Sequence, residues 1–250
     1  MQHVIEDFVE HTNAALTREE VFVLYREALR NFGFDSAVYT LVTDHPSAGQ
    51  KAGHGIQCNF PDDWMKHYWA KNYEKIDPVT MAVMAGSTAF TWDQLVQSPM
   101  LSKQQGLLLQ ESREAGLNNG VGVPLYGAAG EIAGVGLASI DNSKIHIDRN
   151  VLSRLQLITQ QFHLTYCALS GQEFCQVRGP NLTKREVEIL KWWACGKTAD
   201  EIAQILTCSK PTIKFHVKNI YNKLEANTKI LAVTKAIRLG LIPLDCFKAP

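Results

Sequence analysis

Apolar residues recur at helical spacing along much of this chain and alternate in several short runs. One apolar stripe predicts a helix over residues 18–32 and consists of Val21, Leu24, Tyr25, Ala28 and Leu29. The same periodicity predicts helices over 4–15, 61–72, 102–114 and 148–169, and one that starts at Pro78. Strands are predicted over 36–42, 55–59, 90–92, 120–126 and 132–140, the last two forming a hairpin. The simplest fold for this order of helices and strands is a central antiparallel sheet with helices on both faces.

The pattern changes after residue 181, where helix start signals follow one another closely. Thr183 with Glu186, and Thr198 with Glu201, have the spacing of a capping box, in which each side chain accepts from the other residue's backbone N–H. Gly196 is placed to end the first of these helices in a left-handed conformation. Two short capped helices in a row are therefore predicted.

A third helix follows the turn at Cys208-Ser209. Ser209 is a suitable N-cap, and Pro211 falls in the first turn, where a missing N–H costs nothing. The inward positions of this helix are Ile213, Val217, Ile220 and Leu224. Two capped helices, a tight turn and a basic third helix predict a helix-turn-helix, which places its last helix in the major groove of DNA.

The outward side of the third helix is basic, with Lys214 and Lys218 four residues apart on one face. Lysine can donate to guanine, and Phe215 offers an apolar surface for a thymine methyl. We predict DNA contacts from Lys210, Thr212, Lys214, Phe215, Lys218 and Asn222. The simpler alternative is a solvated, lysine-rich face of an ordinary helical bundle.

Charge separates the two parts of the 250-residue chain, whose overall formal charge is +0. Residues 180–250 contain twelve Lys and Arg against six Asp and Glu, whereas the remainder contains 13 against 19. A basic module attracts the phosphate backbone and an acidic one avoids it. Polar turn residues mark the boundary, so we predict a domain over 1–169, a linker over 170–181 and a second domain over 182–246.

Several classes of protein are excluded. No apolar run approaches the ~20 residues of a membrane span, and the polar, acidic start of the chain is unlike a signal peptide. The six cysteines form no CxxC pair and no zinc-binding pattern, which is typical of a cytoplasmic protein without a bound metal. Enzyme motifs for nucleophilic catalysis or phosphate binding are missing, and Asp62-Asp63 does not fit the acidic site of a two-component response regulator.

Aromatic residues are concentrated before and around one carboxylate, Asp77. The group consists of Phe60, Trp64, Tyr68, Trp69, Tyr73 and, farther along, Trp92. Trp64 and Tyr68 lie four residues apart on one helix face. Aromatic walls with a few fixed polar groups suit a small amphipathic ligand. From the residues alone, however, plain core packing with Asp77 as the N-cap before Pro78 is favoured.

Both halves resemble a known family. The motifs LT-x-RE, G-K-T-x-x-E-I-A and T-I-K-F-H-V-x-N-I-x-x-K-L resemble the DNA-binding domain of LuxR/NarL-type bacterial regulators. W-x-x-x-Y, D-P and W, at Trp64, Tyr68, Asp77, Pro78 and Trp92, resemble the acyl-homoserine-lactone-binding domain of LuxR-type quorum-sensing receptors. The resemblance implies an α+β fold: an N-terminal α/β/α sandwich with a central antiparallel sheet, and an all-α, four-helix C-terminal domain whose last helix spans 229–239.

The resemblance also implies roles for individual residues. Trp64 would donate to the lactone carbonyl, Asp77 would accept from the ligand amide, and Tyr68 and Trp92 would form walls. The remaining predicted ligand-binding residues are Phe60, Val38, Thr40, Pro78, Leu117, Gly136 and Ser139. No cofactor is implied. The expected partners are a small-molecule autoinducer, a palindromic double-stranded promoter element and a second copy of the chain, with RNA polymerase if the protein is an activator.

The chain departs from the family pattern at Phe60, where several relatives have a tyrosine that binds the acyl carbonyl. Gly122 and Gly136 fall where some relatives have Thr or Ser. These changes remove polar partners and predict a roomier pocket for a medium, long or bulky acyl group. They also leave open a LuxR-type solo regulator that senses a non-lactone molecule.

Overall fold

The structure is a computed structural model that describes residues 2–45, 49–86, 88–127, 130–140, 145–169 and 180–243. The described residues fall into two units, one of which ends with a helix at Ala168 and the other of which has its first helix at Lys184. The predicted linker over 170–181 lies outside the described residues except for its last two positions, and so do residues 244–246. These domain boundaries therefore stay predictions.

A five-stranded antiparallel sheet forms the centre of the first unit. Its strands are β1 Ser36–Leu41, β2 Gly53–Cys58, β3 Phe90–Thr91, β4 Asn118–Tyr126 and β5 Ile132–Ser139. Their order across the sheet is β2-β1-β5-β4-β3. The hairpin β4–β5 places Gly122 opposite Gly136, and β1 places Val38 opposite the same Gly136. This register puts the glycines near the middle of the sheet.

Seven α-helices in the described part of the first unit cover the two faces of this sheet. They are α1 Gln2–Ala14, α2 Arg18–Arg30, α3 Asp62–Ala70, α4 Pro78–Ala85, α5 Trp92–Val96, α6 Lys103–Glu114 and α7 Arg149–Ala168. Helices α1, α2 and α7 pack on one face, and helices α3 to α6 pack on the other. The predicted arrangement of an antiparallel sheet between helices is confirmed.

Strand alternation gives the two faces different chemistry. Tyr39 points to the α7 side, where its ring meets Phe162 edge-on at 5.1 Å and its hydroxyl lies 2.7 Å from Nδ1 of the buried His163. Its neighbour Val38 points to the opposite side, toward α3 to α6. Successive side chains of a strand point to opposite faces, so one sheet supports a solid core and a separate aromatic cluster.

The prediction of an extended segment over 90–92 is wrong at its end, because Trp92 begins helix α5. Thr91 is its N-cap: the Thr91 hydroxyl accepts from the backbone N–H of Gln94, whose side chain accepts from the backbone N–H of Thr91. This capping box was present in the sequence, but it precedes a helix of only five residues. A helix this short gives no recognisable periodicity.

The described part of the second unit contains four helices, α8 Lys184–Ala194, α9 Ala199–Ile205, α10 Lys210–Leu224 and α11 Lys229–Arg238. The capping boxes of α8 and α9 and the Ser209 cap of α10 are confirmed. Gly196 has φ +84°, the left-handed conformation expected of it. Because one unit contains the antiparallel sheet and the other is helical, the predicted α+β fold class is confirmed.

Glu186 connects the capping box of α8 to helix α10. Its carboxylate is almost fully buried and accepts from the backbone N–H of Thr183 at 2.7 Å and from Nζ of Lys223 at 2.8 Å. Burial by itself would raise the pKa of Glu186, but the hydrogen bonds from Lys223 and Thr183 hold the pKa below its ordinary value. The interaction therefore stabilises the folded unit at neutral pH.

We predict that Glu186→Ala lowers the free energy of unfolding by about 1–3 kcal/mol, because the Thr183 N–H and Lys223 lose a buried acceptor. Urea unfolding followed by circular dichroism measures this. Glu188→Ala is the matched control, since the ion pair of Glu188 with Arg185 is half exposed, and we expect a change below about 0.5 kcal/mol.

The Glu186 contribution also has a defined pH dependence. A depressed pKa stabilises the folded state above the pKa of the unfolded chain, and the stabilisation is lost as the pH falls through the folded-state pKa. The difference between wild type and Glu186→Ala should therefore shrink on acidification below about pH 4. A difference that is equal at pH 7 and pH 3 would contradict this.

Candidate functional site

A cavity lies between the sheet and helices α3 to α6. The space between its atoms is about 580 Å³, including solvent at its mouth. Its lining consists of Val38, Thr40, Val42, His54, Phe60, Trp64, Tyr68, Asp77, Val79, Thr80, Val83, Trp92, Leu108, Leu109, Ser112, Gly134, Val135 and Gly136. Most of these side chains are apolar, with a few polar groups among them.

Asp77 is the ionisable acid in this lining, and its carboxylate is buried at 7% exposure. As the N-cap of α4, it accepts from the backbone N–H of Val79 at 2.8 Å through Oδ1. Through Oδ2 it accepts from the Tyr68 hydroxyl at 2.9 Å and the Thr80 hydroxyl at 3.3 Å. A carboxylate has about four acceptor positions. Three donors therefore leave room for one more, such as an N–H group of a ligand.

Tyr68 and His54 are held neutral beside this carboxylate. Burial, together with the charge of Asp77 and the hydrogen bond to it, raises the pKa of Tyr68. Burial lowers the pKa of His54, against the opposing effect of Asp77 and Glu74. The two rings stack with centroids 4.6 Å apart, and Nδ1 of His54 lies 3.0 Å from the Thr40 hydroxyl. The raised pKa of Tyr68 and the lowered pKa of His54 both favour the neutral form of these two rings.

Trp92 is fixed by a close approach of the sheet backbone. A Cβ atom at Gly120 would overlap the Trp92 ring at Cδ2, Cε3 and Cε2, so only glycine fits there. The ring is 6% exposed and belongs to the same cluster as Phe60, Trp64 and Tyr68. Gly120 thus allows an indole to lie flat on strand β4 and form one wall of the cavity.

The structure brings eight of the eleven predicted ligand-binding residues together in the lining: Val38, Thr40, Phe60, Trp64, Tyr68, Asp77, Trp92 and Gly136. Pro78, Leu117 and Ser139 do not line the cavity. Pro78 is the first residue of α4, and Leu117 is fully buried within the cluster that contains the aromatic side chains. Ser139 lies two residues after Leu137 in strand β5, so both side chains point to the same face of the sheet. Leu137 points to the α7 side, away from the cavity.

The expectation of extra volume at the two glycines is wrong for Gly122. A Cβ atom there would overlap the Phe90 ring, so an aromatic side chain fills the space. At Gly136, a Cβ atom would lie 3.0 Å from Val38 Cγ1 and 3.9 Å from Phe60 and Trp92. Neighbouring large side chains therefore occupy most of the volume that these glycines leave.

The outward face of α10 forms the second candidate site, and the structure places all six predicted DNA-binding residues on the exposed surface of the second unit. These are Lys210, Thr212, Lys214, Phe215, Lys218 and Asn222. Phe215 is 62% exposed, which is unusual for a phenylalanine. An exposed aromatic ring between two lysines is a surface suited to a binding partner.

The lysines of the second unit fall into two groups. Lys223, Lys229 and Lys235 donate to backbone carbonyls, and Lys210 pairs with Asp200 at 2.8 Å. By contrast, Lys214 and Lys218 form no hydrogen bond or ion pair with any residue that the structure describes. These two cations remain available for phosphates or base edges.

The described part of the chain contains neither a metal-binding cluster nor a membrane-spanning helix. There, no group of three or more His, Cys, Asp or Glu side chains is placed to hold a metal ion. Across the same described ranges, no helix is long and apolar enough to span a bilayer.

Comparison with known proteins identifies the family of both domains. Residues 17–166 match the autoinducer binding domain, and residues 180–236 match the DNA-binding domain of bacterial regulatory proteins of the LuxR family. The chain belongs to the LuxR family of bacterial transcriptional regulators. It is 32% identical over 243 residues to the transcriptional activator SolR of Ralstonia solanacearum, which covers 94% of this chain and 99% of SolR. It is 31% identical over 228 residues to the quorum-sensing regulator RhlR of Pseudomonas aeruginosa, with 89% of each chain covered.

A solved LuxR-family structure confirms the fold. The crystal structure of Escherichia coli SdiA matches with a TM-score of 0.69 at 26% identity, over 96% of this chain and 98% of SdiA. SdiA in complex with octanoyl-rac-glycerol matches with a TM-score of 0.68 at 26% identity, over 95% and 94% of the two chains. These relatives are transcriptional regulators rather than enzymes.

Sequence reasoning about this LuxR-family protein missed several lining residues, among them His54, Thr80 and Ser112. Thr80 had a usable signal, because it falls three residues after the N-cap Asp77, within reach of that carboxylate. His54 had none, because its position follows from the pairing of β2 with β1. Pairing between strands is not visible in a pattern of single residues.

We predict that Gly120→Ala destabilises this LuxR-family protein by about 1–3 kcal/mol, because its methyl group displaces the Trp92 ring. Thermal unfolding without ligand measures the loss. Gly106→Ala is the control: it lies within helix α6, its Cβ would meet only Leu101 at 3.9 Å, and alanine favours a helix by about 0.5–1 kcal/mol. Equal stability of the two variants would contradict the packing of Trp92 on Gly120.

Proposed function

We propose that this protein is a quorum-sensing regulator that binds an N-acyl-homoserine lactone in its N-terminal domain and a palindromic promoter site, as a dimer, through its C-terminal domain. The observation that carries the proposal is Asp77, a buried carboxylate in an aromatic cavity with one acceptor position left. A neutral ligand with one N–H group satisfies that position without bringing a second charge.

The chemistry of an acyl-homoserine lactone fits the cavity group by group. Its amide N–H pairs with Asp77, and a hydrogen bond to a carboxylate is among the stronger ones. The resemblance to the family implies that its lactone carbonyl accepts a hydrogen bond from the indole N–H of Trp64. Its acyl chain lies against apolar lining such as Val79, Leu108 and Leu109. Burial of each methylene contributes about 0.8 kcal/mol, so we propose a medium, long or bulky acyl group.

A second candidate is a solo regulator that senses a non-lactone lipid-like molecule. SdiA, a relative with the same fold, is bound to octanoyl-rac-glycerol in one structure. The absence of a hydroxyl at Phe60 removes one polar partner that a lactone uses in several relatives. A glyceride hydroxyl is also able to donate to Asp77, so octanoyl-rac-glycerol belongs in the same binding test.

For the DNA-binding domain, we propose that Lys214, Phe215 and Lys218 face the bases while Lys210, Thr212 and Asn222 contact the backbone. Helix α10 begins with its capped N-terminus at Ser209, the end that enters the major groove in helix-turn-helix proteins. Two copies of this helix, one from each protomer, then contact two half-sites. We propose that the protein is cytoplasmic. Its partners would be promoter DNA and, if it activates transcription, RNA polymerase.

Ligand binding should stabilise the protein by mass action, by about 2.7 kcal/mol at a hundred times Kd. We expect a panel of N-acyl-homoserine lactones to raise the melting temperature of the wild type in order of acyl length, with C8 or longer above C4. In Asp77→Ala the shift should fall, because the ligand N–H then lacks an acceptor, at a cost of about 1–3 kcal/mol.

Because Asp77 also caps α4, its replacement lowers stability without any ligand. Asp148→Ala is the matched control: Asp148 caps α7 by accepting from the backbone N–H of Val151 and does not line the cavity. We expect Asp148→Ala to keep the full ligand-induced shift. Stabilisation by octanoyl-rac-glycerol but by no lactone would favour the second candidate, and stabilisation by the shortest lactones only would overturn the proposed acyl length.

Lys218→Ala should weaken binding to the promoter site and lower the salt dependence of log K by about one unit, because one phosphate or base contact is lost. Fluorescence anisotropy across a range of salt concentrations measures both. Its ligand-induced thermal shift should equal that of the wild type. Lys66→Ala, an exposed lysine of the N-terminal domain paired with Asp63, is the control and should bind DNA normally. A parallel loss of ligand and DNA binding in Lys218→Ala would contradict separate sites.

A further inference from the structure

The indole N–H of Trp92 is a buried donor with no hydrogen-bond partner in the part of the chain that the structure describes. Of the buried side-chain nitrogen and oxygen atoms in that situation, it is the one whose residue lines the cavity. A buried donor left unpaired is costly, and native proteins rarely keep one without a function. A ligand that supplies an acceptor here would remove that cost.

The surroundings of the ring show where this N–H lies. Gly120 covers the ring at Cδ2, Cε3 and Cε2, and Cζ2 lies 3.9 Å from the position that a Cβ atom of Gly136 would occupy. In an indole, Nε1 and Cζ2 are both bonded to Cε2, so the N–H leaves the ring at this end. The two other side chains nearest to that position are those of Val38 and Phe60, which have no hydrogen-bond donor.

The hydroxyl donors elsewhere in the lining are already used. Tyr68 and Thr80 donate to Asp77, and Ser112 donates to the carbonyl oxygen of Leu109 at 2.9 Å. The Thr40 hydroxyl is hydrogen-bonded to His54. An oxygen atom of the ligand in the region of Gly136 therefore has the Trp92 N–H as its available donor.

We propose that Nε1 of Trp92 donates a hydrogen bond to the acyl oxygen of the bound ligand, which makes Trp92 a specificity-determining residue as well as a wall. This rests on the proposed binding of an N-acyl-homoserine lactone. In a trans amide the N–H and C=O groups point in opposite directions. Asp77 at the start of α4 and Trp92 at the start of α5 would then bind the two ends of one amide group.

A matched pair of ligands tests this hydrogen bond. N-octanoyl-homoserine lactone and its thioamide analogue differ only at the acyl oxygen, which sulfur replaces as a weaker acceptor. Isothermal titration calorimetry gives the ratio of their dissociation constants for wild type, Trp92→Phe and Trp69→Phe. Phenylalanine keeps an apolar wall without the N–H, and Trp69, at 45% exposure outside the lining, is the control.

We expect the preference for the amide over the thioamide to fall by about three- to tenfold in Trp92→Phe, as the loss of one hydrogen bond predicts. Trp69→Phe should keep the wild-type ratio. Any change of cavity shape in Trp92→Phe affects both ligands alike and cancels in the ratio. An unchanged ratio in Trp92→Phe would overturn the role of Trp92 and leave the proposed function standing.

A second measurement needs only the wild-type protein, and so does not depend on whether Trp92→Phe folds. With ¹⁵N-labelled tryptophan, one indole N–H resonance should move to different positions with the amide and the thioamide. The Trp64 resonance should move equally with both, because the lactone carbonyl is the same. If no indole resonance distinguishes the two ligands, the inference is overturned. If neither ligand binds the wild type, the proposed function and this inference fail together.

Discussion

The N-terminal domain depends on one constraint, the burial of the Asp77 carboxylate beneath aromatic side chains. A buried charge is tolerated only when hydrogen-bond donors surround it. Here a backbone N–H of α4, the Tyr68 hydroxyl and the Thr80 hydroxyl fulfil that role. The same network fixes the start of α4, orients Tyr68 against His54 and leaves one acceptor position of the carboxylate without a donor among the described residues. Helix capping and ring orientation therefore depend on a single side chain, which is also the residue proposed to bind the ligand.

The sheet separates this polar-centred cavity from a solid core. On the α7 side, Tyr39, Phe162 and Tyr25 pack ring against ring, with Tyr25 and Phe162 stacked at 4.4 Å. On the cavity side, Gly120 and Gly122 allow the rings of Trp92 and Phe90 to approach the backbone. A rigid core on one face allows the other face to hold an unfilled space, because the strands between them are fixed by both the core packing and their own hydrogen bonds.

In the DNA-binding domain, only some of the lysines are free to contact DNA. Lys223, Lys229 and Lys235 neutralise the carbonyl ends or loops of neighbouring helices, a favourable place for a cation. They hold the helices together and are poor candidates for phosphate contacts. Lys214 and Lys218 extend from the outer face of α10, on either side of the exposed Phe215. The net charge of the domain does not distinguish structural lysines from lysines available to DNA. Their hydrogen-bond partners in the structure do.

The sequence by itself determined whatever depends on neighbours along the chain. The capping boxes at Thr183 and Thr198, the left-handed Gly196, the hairpin and the spacing of Trp64, Tyr68 and Asp77 are local patterns with local physical causes. Only the tertiary structure decided which side chains meet across elements: His54 beside Tyr68, Phe90 in the space beside Gly122, and Ser139 on the face away from the cavity. Strand register and ring packing set those contacts, and both arise between residues distant in the chain, where periodicity carries no information.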